Sequence, residues 1–493
     1  MHERALTIGI DLGSSATKAA LVDPETGVIA TATRPAGLHS AQPGWAEAQP
    51  EQWWANVCQV IGQLIGTSRT SAADIVAIAC SGMVPAVVLL GSDDVPLGPA
   101  MLQNDARAGV EVQELQQELI DVDLLGRTGS ALTQQSVAPT VRWLQRNQPA
   151  IWHRTTRFVG SYDWLAMRLG ASPHVEQNWA LESGLFDFAG QPVEEVWRTV
   201  GLETGCVPPS QRPGRVIGQV TRTAAEATGL SSGTPIVVGG ADHVLSAYGA
   251  GVSSSGQWLI KLGGAGDILA ASKVQVLDER LYLDAHPVPG IWLPNGCMAT
   301  SGSLLRWLQA VFGDPDLPSL DREAEGCRPA GMLCLPYFLG EKSPLHDPDL
   351  RGAFVGLHLG STRADLHRAC LEAIAYGVRQ HREIFLENGM DLANPYITNG
   401  GSSSALWKQI MADVLQRPVV PVVGHPGASL GAAVAAAVGV GLASWDAIGA
   451  FVRTGDALEP RLTVADAYTE GYELYLKLQD ALQPFSHSLA RRP

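Results

Sequence analysis

The sequence predicts an α/β protein made of two large domains, and three observations carry that expectation. The chain has 493 residues, more than one ordinary hydrophobic core accommodates. Its composition, 46% apolar and 17% charged, is that of a chain that buries a large core, not of a disordered or coiled-coil one. A unit of strand, glycine turn and strand occurs twice, roughly 250 residues apart, which is the distance of duplicated domains and not of a short solenoid repeat.

Taken in order, residues 6–12 read as a strand, Gly13, Ser14 and Ser15 as a turn, and 17–22 as a second apolar strand stopped by Asp23 and Pro24. Residues 28–33 supply a third strand. Trp53, Val57, Val60, Ile61 and Leu64 recur at helical spacing, so a helix over 51–65 turns one face to that sheet. Two more strands are expected at 75–80 and 86–90, and helices dominate 105–168. The second unit runs as a strand from Trp258 to Leu262, a turn at Gly263, Gly264, Ala265 and Gly266, and a strand to Ala270. Ser253, Ser254, Ser255 and Gly256 interrupt the pattern before it, which sets the domains at 1–252 and 253–493. Thr362 and Asp365 have capping-box spacing at the start of a helix reaching Gly389, and a helix over 405–416 stops before Pro418. The uncharged stretch 427–444 is rich in Ala and Gly and too weakly apolar to span a membrane; it predicts a tightly packed buried helix.

A formal net charge of −15 speaks against nonspecific binding to nucleic acid or to an anionic membrane, both of which need clustered Lys and Arg. An anionic nucleotide therefore needs a local site with a metal ion. Seven cysteines, an odd number without a Cys-x-x-Cys pair, read as reduced thiols. The amino terminus leads straight into a strand with no apolar stretch and cleavage site, so a cytoplasmic protein is expected.

The chemistry is expected at the turns. Asp11 ends a buried strand just before Gly13, Ser14 and Ser15, whose N–H groups and hydroxyls can face phosphate oxygens, and a carboxylate there can hold Mg²⁺ through water. Lys18, on the returning strand, reaches the same phosphates as a point charge, unless it is simply solvated. Gly263, Gly264, Ala265 and Gly266 form the matching turn, so two hairpins can grip one polyphosphate from opposite sides. Asp242 follows Gly239 and Gly240 at a strand's carboxyl end, where α/β sites lie; the alternative is an aspartate that caps the next helix. His243 beside it is either a substrate contact or structural. Gly427, Ser429 and Gly431 match the Gly-x-Ser-x-Gly nucleophile elbow, but small residues in a helical run also suit close packing, and no general-base histidine follows except His487 in the tail.

In this order the pieces resemble the FGGY carbohydrate kinases, and xylulokinases among them most closely, over about residues 6–441. The matching runs hold Asp11, Asn104 with Asp105 and Arg107, Gly239 with Asp242, Gly263 to Gly266, Glu341 with Pro344, and Gly400 to Ser403 with Trp407 and Asp413. The resemblance implies two actin-like ATPase (ribonuclease H-like) domains with ATP and sugar in the cleft between them. It implies that Asp242 is the general base for an attacking sugar hydroxyl and that Asp11 positions Mg²⁺. It further implies that Gly400, Gly401, Ser402 and Ser403 lie against adenosine, and that Asn104, Asp105 and Arg107 meet the sugar. The leading expectation is conversion of D-xylulose to D-xylulose 5-phosphate.

The departures from the xylulokinase pattern gather where the sugar binds. Met83-Val84-Pro85-Ala86 stands where Gln-Met-His-Gly is usual, which removes an imidazole that could hydrogen-bond a sugar hydroxyl; Gln103 replaces a tryptophan and His243 an asparagine. Gly264 and Ala265 replace Thr-Ser and lose two hydroxyls. The competing expectations are a kinase for another ketose, a polyol or a sugar acid, and a non-catalytic nucleotide or sugar sensor of the same fold. The expected partners are the sugar and ATP alone, and a homodimer is a possible assembly.

Overall fold

A computed structural model describes residues 4–42 and 44–490. Leu6–Leu12 is buried along its whole length, as a strand is when it is covered on both faces. It pairs antiparallel with Ala16–Asp23, which pairs with Gly27–Pro35. On its other side it runs parallel to Ile75–Gly82, which is parallel to Pro235–Ala241. Val216–Gln219 closes that edge.

The second sheet repeats this order. Trp258–Leu262 is flanked by the antiparallel Gly266–Ala270 and Trp292–Met298 on one side and by the parallel Tyr396–Thr398 and Val420–Pro421 on the other. Tyr282–Ala285 is added at the antiparallel edge. In both sheets the carboxyl ends of the parallel strands lie side by side, which gathers Asp11, Val84 and Asp242 in the first and Lys261 and Asn399 in the second.

One face of the first sheet is covered by the helix Pro50–Ser68, through Trp53, Val57, Val60, Ile61 and Leu64. The other face takes Ala428–Gly439, a helix from the far end of the chain. Ala433 and Val434 meet Ala20 and Val22, and Ala432 and Ala436 meet Ala77 and Ala79. Such close packing needs small side chains. A Cβ on Gly9 would lie 2.0 Å from the Ser429 carbonyl oxygen, and the Thr7 hydroxyl donates to the Ala433 carbonyl at 2.9 Å.

This packing also decides the Gly-x-Ser-x-Gly question. Ser429 is 1% exposed, and its hydroxyl donates to the Pro426 carbonyl; it is a packing residue and no nucleophile. The second sheet is covered by the long helix Arg363–Glu387, with the expected Thr362–Asp365 capping box, and by Ala405–Leu415. Leu259, Leu269 and Leu293, on its other face, join the core of the first domain, so apolar packing ties the halves together beneath the cleft. Segment 105–168 is mainly helical as expected, with one short strand at Arg157–Val159. Among the described residues, no helix is long and apolar enough to cross a membrane.

Candidate active site

Asp11 pairs with Lys18 across the first hairpin. Its carboxylate is 7% exposed and Oδ1 has no hydrogen-bond partner. Burial, and then the charge of Asp242, push this carboxyl up to about 7. Lys18 is exposed, yet near enough for its charge to oppose that rise. The turn is closed by the Gly13 N–H donating to the Ala16 carbonyl at 3.0 Å, with Ser14 and Ser15 at the exposed tip.

The second hairpin inverts the charges. Lys261 takes the place of the aspartate and lies 3.1 Å from Asp267 on the returning strand. Burial alone would lower the Lys261 ammonium, but Asp267, Asp242 and Asp11 outweigh it and hold the group charged. Lys261 is thus the cation that faces both predicted carboxylates. In the turn, a Cβ on Gly264 would meet nothing within 4 Å.

Between the hairpins lies a cavity of about 330 Å³. Ser14, Val84 and Gln103 line it from the first domain, with Gln135, Glu182, Asp242 and His243; Lys261, Gly263, Gly264, Ala265, Asp267, Asp284, Lys342 and Asn399 line it from the second. Asp242 is the first residue of the helix Asp242–Gly249, where the helix dipole favours an anion. Its Oδ1 accepts the His243 N–H at 2.7 Å. A second, more apolar cavity of about 470 Å³ is walled by Leu305, Leu371, Gly400, Gly401, Ser403 and Trp407, and it shares Gly263 and Gly264 with the first. A ligand that fills both must pass over the second glycine turn. Ser402 stands just outside that wall, its hydroxyl donating to the Asn399 carbonyl.

Two groups of expected residues lie away from the wall of the first cavity. Asn104 is exposed, and neither it nor Asp105 nor Arg107 lines the cavity. The Arg107 guanidinium instead donates to Asp105 and Glu47 at 2.6 and 2.7 Å and stacks 3.7 Å from the Trp45 ring. Asp105 also accepts the Ala46 N–H. Asp105 and the Arg107 Nε and Nη2 groups thereby staple the loop that presents Gln103. Pro85 is likewise buried and no part of the wall, and only Val84 of that pair faces the cavity.

His243 lines the cavity, but its Nε2 is committed to Asp284 at 2.7 Å. Sequence reasoning missed Glu182, Asp284, Lys261, Asp267, Lys342 and Asn399. The Lys261–Asp267 pair had a signal, since it mirrors Asp11 and Lys18 in the repeated hairpin. Asn399 had one too, because Asn preceding two glycines suits its φ of 70°. Glu182 and Asp284 had none.

The two sheets and the paired hairpins define an actin-like, ribonuclease H-like ATPase fold. The chain belongs to the FGGY family of carbohydrate kinases: the model of the family's N-terminal domain matches residues 6–249 and that of its C-terminal domain residues 269–440. Among solved structures, it is similar to the xylulose kinase from Rhodospirillum rubrum, at 41% identity and a TM-score of 0.90, covering 98% of this chain and 100% of that one. It is 29% identical to the xylulose kinase of Staphylococcus epidermidis over 96% of each chain. It is 28% identical to the L-xylulose/3-keto-L-gulonate kinase of Escherichia coli over 97% of each.

Proposed function

We propose that this carbohydrate kinase transfers the γ-phosphoryl group of ATP to a hydroxyl of a ketose, with D-xylulose giving D-xylulose 5-phosphate as the leading reaction. One observation carries the reading. Gln103 Oε1, Glu182 Oε1 and Asp284 Oδ1 all belong to residues lining the 330 Å³ cavity and are buried without a hydrogen-bond partner. Buried acceptors need donors, and a polyol brings several hydroxyl donors in a small volume.

In this reading adenosine lies in the apolar cavity against Gly400, Gly401 and Ser403, and the phosphates cross the turn at Gly263 and Gly264. Asp242 accepts the proton of the attacking hydroxyl, which requires an oxygen–oxygen distance of about 3 Å. Lys261 faces the charge that develops on the transferred group. The orphaned, buried Asp11 Oδ1 fits a cation, so Asp11 is the residue that would hold Mg²⁺, directly or through water. A Mg²⁺ ion held there would supply counter-charge for the phosphates. The cavity is lined from both domains, and their closure over the ligands would exclude water, the competing acceptor.

Lys342 in the cavity wall favours a second reading, a sugar acid whose carboxylate meets that ammonium. The discriminating experiment is Mg²⁺-dependent ADP release from ATP with ketoses, aldoses, polyols and sugar acids. D-xylulose is expected to stimulate most; stimulation by a sugar acid alone would replace it with the second reading, and silence across the panel with ADP still bound would support a sensor. Asp242→Asn keeps the shape but cannot take the proton, so acceptor-dependent turnover is expected to vanish while ADP binding survives. Near-normal turnover in that variant would remove Asp242 from the base role.

A further inference from the structure

A chain of charged groups in the sugar cavity crosses from one domain to the other. His243 Nε2 lies 2.7 Å from Asp284 Oδ2, and Nδ1 lies 3.6 Å from Asp242 Oδ1. His243 and Asp242 open a helix of the first domain, whereas Asp284 stands on the edge strand Tyr282–Ala285 of the second sheet. The Asp284 side chain is only 2% exposed, and its Oδ2 also accepts the Asn295 amide at 2.8 Å. The strand itself is clamped to the first domain, since the Asn178 side chain donates to the Ala285 carbonyl at 2.9 Å and accepts its N–H at 2.8 Å.

The charge state follows from the surroundings. Burial disfavours an imidazolium, but Asp284, Asp242 and Glu182 outweigh burial and hold His243 well above the ordinary histidine range. Glu182 lies 3.9 Å from Nε2, and its own carboxyl is raised by burial and then by the charge of Asp284. Lys261 and Asp267 face the same cavity and pair with each other. Glu182, His243 and Asp284 lie close enough together to suggest a metal site. The direct Nε2–H bond to Asp284 argues otherwise, because it spends on a proton the lone pair that a metal needs.

One hydrogen bond and one ion-pair contact from a single residue fall on one oxygen. The His243 backbone N–H bonds Asp242 Oδ1 at 2.7 Å, and the ring cation stands beside the same atom. That leaves Oδ2 free to accept a proton.

We propose that His243, held from the second domain by Asp284, is a positioning residue that orients Asp242 with Oδ2 toward the acceptor hydroxyl. This rests on the reading of Asp242 as the base. The imidazolium supplies the counter-charge that Asp242 needs beside Asp11, and the cross-domain bond ties the base's orientation to the arrangement of the two domains. The sugar meets the ring rather than its nitrogens.

The test uses the full-length protein, Mg²⁺ and the best acceptor of the panel, with ADP binding measured by calorimetry. Asp284→Asn keeps the shape and removes the charge; His243→Gln removes the ring. Each is expected to lower kcat by about 100-fold, the scale of a misplaced reacting group, while KM for ATP and ADP affinity stay within about twofold. Added to Asp242→Asn, neither should cost anything more. If Asp284→Asn does not fold, His243→Gln carries the same expectation. Retention of kcat in the single variants, with Asp242→Asn dead, overturns the positioning role and leaves the base intact. A parallel fall in ADP affinity and melting temperature overturns it in favour of a purely structural bond. An active Asp242→Asn overturns the underlying reading instead.

Discussion

Replacing Gly9 by Ala tests how closely the helix Ala428–Gly439 must approach the central strand. The added Cβ would stand 2.0 Å from the Ser429 carbonyl oxygen and 2.4 Å from the Ala433 nitrogen. Both are backbone atoms, so no side chain can swing away. Ordinary contact begins at 3.4 Å, and the helix must retreat by 3.4 − 2.0 = 1.4 Å. Overpacking of this kind costs about 3 kcal/mol at the upper end. The Thr7–Ala433 hydrogen bond, now 2.9 Å, would be lost for about 1 kcal/mol more.

The sum, about 4 kcal/mol, is a large part of a typical stability of about 5–15 kcal/mol. The protein should fold, with a lowered urea midpoint. Gly427, at the helix start, faces Asp11, its Cβ position 3.9 Å from Oδ2. The retreat therefore also moves the wall beside the Asp11 carboxylate, proposed above to hold Mg²⁺, and turnover should fall with stability. Gly62→Ala is the control: it lies within the helix Pro50–Ser68 with nothing within 4 Å of the new Cβ, and it should stabilise by about 0.5–1 kcal/mol. If Gly9→Ala melts at the same urea concentration as Gly62→Ala and keeps full activity, the close-packing argument is wrong.

Two further predictions concern the second domain. Gly264 has open space for a side chain, so Gly264→Thr with Ala265→Ser should place two hydroxyls on the turn proposed to face the phosphates. One new bond to a charged phosphate is worth about 1.5 kcal/mol, or about tenfold in KM for ATP; an unchanged KM would mean that this turn does not touch the phosphates. Glu341 accepts the Ala299 and Lys342 N–H groups at 2.6 and 2.8 Å, and burial pushes its carboxyl up to about 8 from 4.5. The folded state therefore holds a proton that the unfolded chain releases, and stability falls as pH rises from 4.5 to 8. The limit is about 1.36 × 3.5 ≈ 5 kcal/mol. Glu341→Gln should shrink the difference between melting temperatures at pH 5.5 and 8.5; an unaltered difference would assign the pH dependence to other buried acids such as Glu176.

Much of this molecule was legible in its sequence, for local reasons. Hairpins, the capped helix after Thr362 and the buried Ala-rich helix follow from alternation, capping and composition, all of which act over a few residues. The same holds for Asp11, Asp242 and the glycine turns, which sit at strand ends where the chain must turn. Other features depend on parts of the chain that meet only after folding. The helix Ala428–Gly439 belongs by sequence to the second half, yet it covers the first sheet, because its small residues match Gly9 and the alanines there. The resemblance implies that Asp105 and Arg107 meet a sugar, and only the fold shows that Glu47 and Trp45, far upstream, hold them in a loop staple. His243 read as an isolated histidine until the edge strand brought Asp284 against it. Local order thus determined the elements and the two glycine turns, whereas the partners of each charged group were decided by the tertiary structure, since burial and electrostatics depend on distance in space and not along the chain.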